Sequence, residues 1–578
     1  MESAGVSINF LKEFIQHKNY DENISTAECF ERIIKPQTIK KRIAYIDLFK
    51  SKKDSNGIAY VAKANVFVSH AWRGNIQSSI DAMLEYPEGD RKFNYFWFDL
   101  FVNNQHTVTQ NSHEWWETVF RRNIGKIGNT LLVFVPWDDP IVLQRVWCLF
   151  EIICSIQGNT TLTIAIPSSQ EVSFQKALLH KIRGIVQTLS DIDSENAKAT
   201  IEHDKQMIFE VIKKTISFNT LNKIIKDELR KWILSKSMLL AEKYMRETNT
   251  SKMPECIAFI SQVGLLALEI GDFKNSEMYL KYAVENGIHA FKDDPLNLGI
   301  AINNLGSYHE SKGEYDIAVK LYEKALSLKL SCLDETNIEL ASTMNNIGSI
   351  SLIKGDLERA EDCFKKTLAI SLARNGEKHH ETAKAFNNLG AVYDEQNRDD
   401  LALENYEKSL EIRKEILGIN HPETAASFNN CGSVYYQAEK YDEALENFTK
   451  SFSILSSVLG DTNPKVAVAI ENIGQALEGR GEYKEAMDKY KQSLSIKEVS
   501  LGPEHLAIAE SYYSIGMVSA QMKAYRDAIE NLQRCLQIRE IHLKARHPDI
   551  RNVHKNLSVI YYNMGKLDKS EKHEELSK

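Results

Sequence analysis

Between residues 62 and 190, short apolar runs alternate with stretches in which apolar residues recur at helical spacing. The short runs, at residues 66–72, 93–99, 130–135 and 162–166, have the length of buried strands, and polar residues or a proline end them. Helical periodicity occurs at residues 76–84, 114–127 and 143–152. Strands that alternate with helices predict a parallel sheet covered on both faces, so this part of the chain is expected to be an α/β domain.

A different pattern begins near Pro254. A glycine recurs every 42 residues, an alanine follows it by twelve positions, and a large apolar residue stands four positions further on. The glycines are Gly306, Gly348, Gly390, Gly432, Gly474 and Gly516, and Ser558 takes the next step. Small residues let two helices approach closely, and large residues fill the space between hairpins, so a stack of helical hairpins is predicted. Seven repeats follow this register from Leu296, after a degenerate repeat at residues 253–285.

These patterns divide the chain into four parts. Residues 1–60 carry helical patterns without recognisable chemistry, and we assign them as a helical N-terminal extension. The α/β domain takes residues 61–190 and the repeat array residues 254–578, with about eight repeats. Residues 191–253 carry helical patterns at 205–214 and 221–246, so a helical connector is expected there. A stiff connector transmits orientation, which a glycine-serine linker cannot do.

Composition and charge narrow the classes of partner and compartment. The net charge is −8 and the acidic and basic residues are interspersed, so no basic face favours nucleic acid. The eight cysteines are scattered without a Cys-x-x-Cys pair, which favours reduced thiols over disulfides or a zinc site. The start lacks a signal-peptide pattern and no run of eighteen apolar residues occurs. We therefore expect a cytoplasmic protein with no membrane segment.

One carboxylate stands out in the helical pattern at residues 143–152. Glu151 lies among aliphatic and aromatic neighbours, so it either stands at the edge of the apolar stripe or is held in a cleft to act on a substrate. Ser69 and His70 end the first predicted strand, and Asp99 ends the second. Because α/β folds bind ligands beyond the carboxyl ends of their strands, these residues are expected to border one cleft.

Four segments follow one another in this part of the chain: Phe67-Val68-Ser69-His70, Phe98-Asp99, the strand at 131–135 and Trp147-Cys148-Leu149-Phe150-Glu151-Ile152. Their order resembles a TIR domain, a signalling module of innate immunity and cell death with a flavodoxin-like parallel sheet. The resemblance implies that Glu151 cleaves NAD+ between nicotinamide and ribose, and that such domains act side by side as homo-oligomers. The chain departs from the pattern at residues 103–106, which replace the Arg-Asp and Pro-Gly elements common in animal TIR domains.

Under this hypothesis NAD+ is a substrate and no cofactor is needed. Glu151 would stabilise the positive charge that grows on the ribose while nicotinamide leaves as a neutral base. The candidate substrate-binding residues are Ser69, His70, Trp72 and Asp99, with Trp97 and Trp137 as further aromatic candidates for stacking. Each has a structural alternative, because His70 can cap the strand, Asp99 can hold the following loop, and the tryptophans can belong to the core.

The 42-residue period resembles tetratricopeptide repeats in the form found in kinesin light chains. The resemblance implies an α-solenoid with a concave groove for a protein or peptide ligand. Asparagines recur at positions that would face this groove, and the candidates are Asn304, Asn346, Asn388, Asn430 and Asn472. Their amides can pair with the N–H and C=O of an extended peptide, or they can bond neighbouring repeats and serve the structure alone.

Other chemistries find less support in the sequence. A His70–Cys148 protease dyad is disfavoured because Cys148 lies inside a helical pattern and lacks a Gln-Ala-Cys-x-Gly signature. No phosphate-binding Gly-x-x-x-x-Gly-Lys-Ser/Thr loop occurs, and no histidine or cysteine spacing fits a metal site. Two hypotheses remain. One is a sensor enzyme whose array binds a partner and whose TIR-like domain hydrolyses NAD+, and the other is a non-enzymatic adaptor that uses this domain for homotypic contacts.

Overall fold

The computed structural model describes residues 4–17, 23–86, 94–106, 121–158, 160–190, 194–199, 202–215, 218–247, 253–461, 463–544 and 547–578. The chain forms two compact units, Met1–Lys292 and Asp293–Lys578. Throughout the described ranges, every helix is too short or too polar to cross a membrane.

A six-stranded sheet forms the centre of the first unit. Its strands are β1 Ala4–Ser7, β2 Val61–Lys63, β3 Val66–Ser69, β4 Tyr95–Trp97, β5 Asn129–Val133 and β6 Thr161–Ala165. They lie in the order β2-β1-β4-β3-β5-β6. Strands β4, β3, β5 and β6 are parallel, whereas β1 is antiparallel to both β2 and β4. The predicted α/β fold is therefore confirmed, with two antiparallel strands added at one edge.

The parallel strands follow the apolar runs of the sequence, and β3 is buried along its whole length. Covering helices on both faces account for this burial. The predicted strand at residues 93–99 ends earlier, because Asp99 already begins a helix. In the first 60 residues the sequence pattern indicated helices alone, but residues 4–7 form β1. Gly5 permits this pairing, because a Cβ at this position would lie 2.9 Å from the backbone of Tyr95.

The helices of the first unit cover the sheet and extend beyond it. They are α1 Ile8–His17, α2 Thr26–Cys29, α3 Lys35–Thr38, α4 Ile76–Leu84, α5 Asp99–Val102, α6 Arg121–Ile127, α7 Val146–Gln157, α8 Ser168–Ser190, α9 Glu202–Thr215, α10 Phe218–Arg246, α11 Pro254–Ile270 and α12 Phe273–Ala290. The predicted helix at residues 114–127 begins outside the described residues, and α6 is its described part. The two helices expected in the connector correspond to α9 and α10.

The described residues of the second unit form seven antiparallel helical hairpins in succession. Their helices are α13 Pro295–Ser311, α14 Tyr315–Leu330, α15 Ile338–Ile353, α16 Leu357–Asn375, α17 His380–Glu395, α18 Asp399–Leu417, α19 Pro422–Gln437, α20 Tyr441–Leu459, α21 Pro464–Gly479, α22 Tyr483–Leu501, α23 Leu506–Gln521, α24 Tyr525–His542, α25 Pro548–Asn563 and α26 Leu567–Leu576. The predicted stack of hairpins is confirmed. A small residue in the first helix of each hairpin lets the second helix approach it closely. At Gly390, a Cβ would lie 2.7 Å from the ring of Tyr406 on the second helix.

Buried cations connect the first, third, fifth and sixth hairpins to the next one, and in the sixth Arg539 donates to the Asp549 carbonyl at 3.0 Å. Lys329 donates to the Thr343 hydroxyl at 3.0 Å, and Lys497 donates to the Ser511 hydroxyl at 2.9 Å. Arg413 makes the equivalent bond to a serine of its following hairpin. The intervening hairpins carry a serine or a leucine in place of the cation. Because a buried charge must be hydrogen-bonded, each of these contacts fixes the position of one hairpin on its neighbour.

Candidate functional site

Ser69 and Glu151 meet at the carboxyl end of the parallel sheet. Ser69 is the last residue of β3 and is fully buried, and its hydroxyl donates to Oε2 of Glu151 at 2.6 Å. Glu151 lies on α7, which packs against β3, and its side chain is only partly buried. The Glu151 carboxyl is therefore held by a strand residue, and Glu151 itself is partly exposed.

The protonation of Glu151 is shifted by its surroundings. Burial raises the pKa of Glu151 from its ordinary 4.5 to about 8, and the charge of Asp99 acts in the same direction. The hydrogen bond from Ser69 opposes these effects, because it favours the ionised form. The surroundings of Glu151 therefore favour the protonated form of its carboxyl.

His70, Asp99 and Trp72 form a second group beside this pair. The indole N–H of Trp72 donates to Oδ2 of Asp99 at 2.6 Å, and Nδ1 of His70 lies 3.7 Å from Oδ1 of the same carboxylate. The His70 ring packs against Phe98 with centroids 4.4 Å apart. Burial lowers the pKa of His70, although Asp99 opposes this shift. Within the described residues, Nε2 of His70 and Oδ1 of Asp99 are buried without a hydrogen-bond partner, so both can serve a ligand.

The other candidate tryptophans lie elsewhere. Trp97 is 1% exposed and stacks on Phe67 with centroids 4.8 Å apart, so it belongs to the core. Trp137 donates through its indole to Ser173 and packs edge-on against Phe174 of α8. Trp72 is thus the tryptophan that contacts the Asp99 carboxylate at the end of the sheet.

An N-terminal segment borders the same loops, and no pattern in the sequence indicates this role. The backbone N–H of Ala27 donates to the Trp72 carbonyl at 3.0 Å, and the Phe30 ring lies edge-on to the Trp72 indole. The hydroxyl of Thr38 lies 2.9 Å from Nε2 of His106, in the polar loop after α5. These contacts cross long sequence separations and follow no motif, so only tertiary packing could reveal them.

The geometry does not favour a cysteine protease. The Cys148 thiol is buried and contacts the backbone carbonyl of His70 at 3.4 Å. Burial and the nearby Glu151 raise its pKa well above the ordinary value, so the reactive thiolate is disfavoured. Across the described ranges, no three histidine, cysteine or acidic side chains are placed to hold a metal ion.

The asparagines of the second unit form a hydrogen-bonded ladder between hairpins. Each amide donates to the asparagine carbonyl of the preceding hairpin. The bonds run from Asn388 to Asn345 at 2.7 Å, from Asn430 to Asn387 at 3.0 Å and from Asn472 to Asn429 at 2.6 Å. The side chains remain partly exposed, and each amide has further donor or acceptor capacity. The asparagines can therefore hold neighbouring hairpins together and still present accessible amides along the array.

Both ends of the ladder differ from its centre. Asn304 is 3% exposed, and Asn346 lies beside the Tyr322 hydroxyl. Further along, Glu471 replaces the first asparagine of the pair, and its carboxylate binds the buried Lys497 ammonium at 2.6 Å. The ladder thus changes from neutral amides to a buried ion pair at this hairpin.

Comparisons with known proteins identify the repeats. Two family profiles described as tetratricopeptide repeat match the chain, one at residues 339–415, 399–457 and 423–498, and the other at 300–329 and 508–549. The C-terminal part of the chain therefore consists of tetratricopeptide repeats. A search of curated proteins returned no significant match.

Solved structures of repeat proteins resemble the array. BtubC (BKLC) from P. vanneervenii is 20% identical, with a TM-score of 0.36 over 40% of this chain and 92% of that one. A Podosopora anserina protein with nearly identical TPR-like repeats, described as a kinesin light chain, is 18% identical, with a TM-score of 0.33 over 36% of this chain and 99% of that one. The apo form of the quorum sensor NprR from B. thuringiensis is 13% identical, with a TM-score of 0.38 over 55% of this chain and 96% of that one.

Proposed function

We propose that the α/β domain of the first unit is a TIR-type domain that hydrolyses NAD+ to release nicotinamide, with Glu151 as the catalytic residue. The observation that carries this proposal is the 2.6 Å contact between the Ser69 hydroxyl and the carboxyl of the partly exposed Glu151 at the end of the sheet. A carboxyl directed into bulk solvent, away from Ser69, would have argued against it.

The chemistry requires Glu151 to ionise when substrate binds. Nicotinamide in NAD+ carries a positive charge, and a nearby cation favours the ionised form of a carboxyl. The substrate would therefore lower the pKa of Glu151 from about 8 and favour the ionised carboxylate that the reaction needs. As the glycosidic bond breaks, positive charge develops on the ribose, and this carboxylate stabilises it.

The neighbouring groups would orient the substrate. The Ser69 hydroxyl holds one oxygen of Glu151, which directs the other oxygen to the ribose. His70 Nε2 and Asp99 Oδ1 would bond polar groups of the substrate, since both lack partners within the described residues. Trp72 would keep Asp99 in place through its indole N–H.

We further propose that the array binds an extended segment of a protein partner along the asparagine ladder. The amides of Asn388, Asn430 and Asn472 are partly exposed and are oriented by the ladder, and the partly exposed Asn346 lies beside the Tyr322 hydroxyl. Such oriented amides can pair with both groups of a peptide backbone at low entropic cost. Asn304 is nearly buried, so its contribution would be structural. Partner binding would bring TIR-type domains of several chains together and so start hydrolysis.

Nicotinamide release from NAD+ tests the enzymatic proposal. The purified full chain is incubated with NAD+, free or crosslinked by an antibody against a terminal tag, and nicotinamide is measured by chromatography. We expect clustering to increase the rate, and Glu151→Ala to reduce it at least about 100-fold. Glu202→Ala, at an exposed carboxylate of α9, serves as the control and should retain activity. No release under any clustering condition would leave a non-enzymatic adaptor.

A further inference from the structure

A cavity of about 560 Å³ opens in the second unit between α22, α23 and α24. Met487 and Lys491 of α22 form one wall, and Asp527, Glu530 and Arg534 of α24 form the other. Ser519 of α23 lies among the residues between them. The cavity has the volume of a small-ligand site. Tyr513 and Ser514, which occupy the ladder positions of this hairpin, do not line it, so the cavity is separate from the ladder.

Two other hairpins show a side chain that fills this space. The position of Ser519 holds Tyr393, Tyr435 and Tyr561 in three other repeats of the 42-residue register. The hydroxyl of Tyr393 reaches Glu361 on the preceding hairpin at 3.4 Å, and that of Tyr435 reaches Glu407 at the same distance. In the 42-residue register these two acids correspond to Met487 and Lys491, which line the cavity. Tyrosine side chains therefore cross the clefts that correspond to the open one at Ser519.

A second comparison explains why this cleft is open although another hairpin also has a serine. At Ser351 an ion pair between Arg359 and Glu323 crosses the cleft at 2.5 Å. The register places Asp527 and Lys491 at these two positions of the open hairpin, with the charges exchanged. Within the described range 463–544, the structure records no ion pair between Lys491 and Asp527. Neither a ring at position 519 nor an ion pair between Lys491 and Asp527 closes this cleft, and the ring of Tyr512, whose hydroxyl donates to Glu498 of α22 at 3.0 Å, lines it.

We propose that this cavity binds a tyrosine-like aromatic side chain of a protein partner, in the place that Tyr393 and Tyr435 take in their own hairpins. Two cations and two acids among the lining residues offer both donors and acceptors without a net charge of either sign. This environment suits a neutral ring with a polar tip, because the ring buries apolar surface and the hydroxyl finds a partner. This site is independent of NAD+ hydrolysis.

The methyl group of Met487 provides a local probe. The full chain is labelled with carbon-13 in its methionine methyl groups, and Met487→Leu assigns the Met487 signal among the 12 methionines. N-acetyl-L-tyrosinamide is the ligand used, because it presents the side chain without charged termini. We expect a saturable ring-current shift at Met487, and no comparable shift with N-acetyl-L-leucinamide. An unchanged Met487 signal, or an equal response to the leucine compound, would overturn the proposal.

Ser519→Tyr tests the occupant directly, since the new ring should fill the cavity from within. We expect Met487 to be shifted before any addition, and the affinity for N-acetyl-L-tyrosinamide to fall at least about tenfold. Ser342→Tyr, at an exposed position of α15, is the matched control and should respond like the wild type. If Ser519→Tyr keeps the wild-type circular dichroism spectrum and also the wild-type response, the ligand does not bind in this cavity.

Discussion

Glu151→Gln replaces a partly buried acid by an uncharged side chain of nearly the same shape. The pKa of Glu151 is raised to about 8 in the folded chain and returns to 4.5 when the chain unfolds. Between these pH values the folded state holds a proton that the unfolded state has released, so wild-type stability falls as the pH rises. Below pH 4.5 both states are protonated and above about 8 both are ionised, so this contribution is constant outside the window.

The size of the effect follows from the width of this window. A complete difference of one proton changes the free energy of unfolding by about 1.4 kcal/mol per pH unit. Glu151 is partly exposed, so solvent screening should reduce the total change over the window to about half. Glu151→Gln lacks the titration, and we expect it to gain roughly 2 kcal/mol over the wild type between pH 5 and pH 8.

Tryptophan fluorescence during urea denaturation measures the difference in stability between the two proteins for the first unit of the chain. All seven tryptophans lie between residues 72 and 232, so their emission reports the unfolding of the first unit. Glu202→Gln, at an exposed carboxylate of α9, controls for the loss of one charge. A stability difference between wild type and Glu151→Gln that stays constant from pH 5 to pH 8 would refute the reasoning. A variant that becomes less stable than the wild type toward pH 8 would refute it as well.

Three further results are expected. Lys497→Met leaves the Glu471 carboxylate buried without its cation and should lower the free energy of unfolding by about 3 kcal/mol, and adding Glu471→Gln should recover most of this loss. Urea denaturation followed by circular dichroism measures both variants, and equal stabilities of the single and double variants would contradict the argument. Gly390→Ala places a methyl group 2.7 Å from the Tyr406 ring, so the second unit should lose about 1 to 3 kcal/mol in the same assay, and an unchanged midpoint would show that the hairpin relaxes freely. If Glu151 acts as a carboxylate, kcat/KM for nicotinamide release should rise with pH and level off near 8, and a flat profile from pH 6 to pH 9 would exclude this role.

The sequence by itself determined the repeat array and the parallel strands. The array follows from spacing because each hairpin contacts mainly its neighbours, so the same small and large residues must recur at the same positions. Gly390 and Tyr406 are one such pair. They are 16 residues apart, and the Tyr406 ring packs against the backbone at Gly390. The parallel strands follow from their continuous apolar runs, which burial on both faces requires.

Tertiary structure alone decided which side chains meet at the sheet. Ser69 and Glu151 are 82 residues apart, and their hydrogen bond depends on how α7 packs against β3. Strand β1 is too short for a pattern, and the contact of Ala27 with Trp72 follows no periodicity. The cavity at Ser519 likewise depends on which neighbouring side chains cross a cleft between helices. Local spacing specifies elements and their repetition, whereas contacts between distant residues depend on packing in three dimensions.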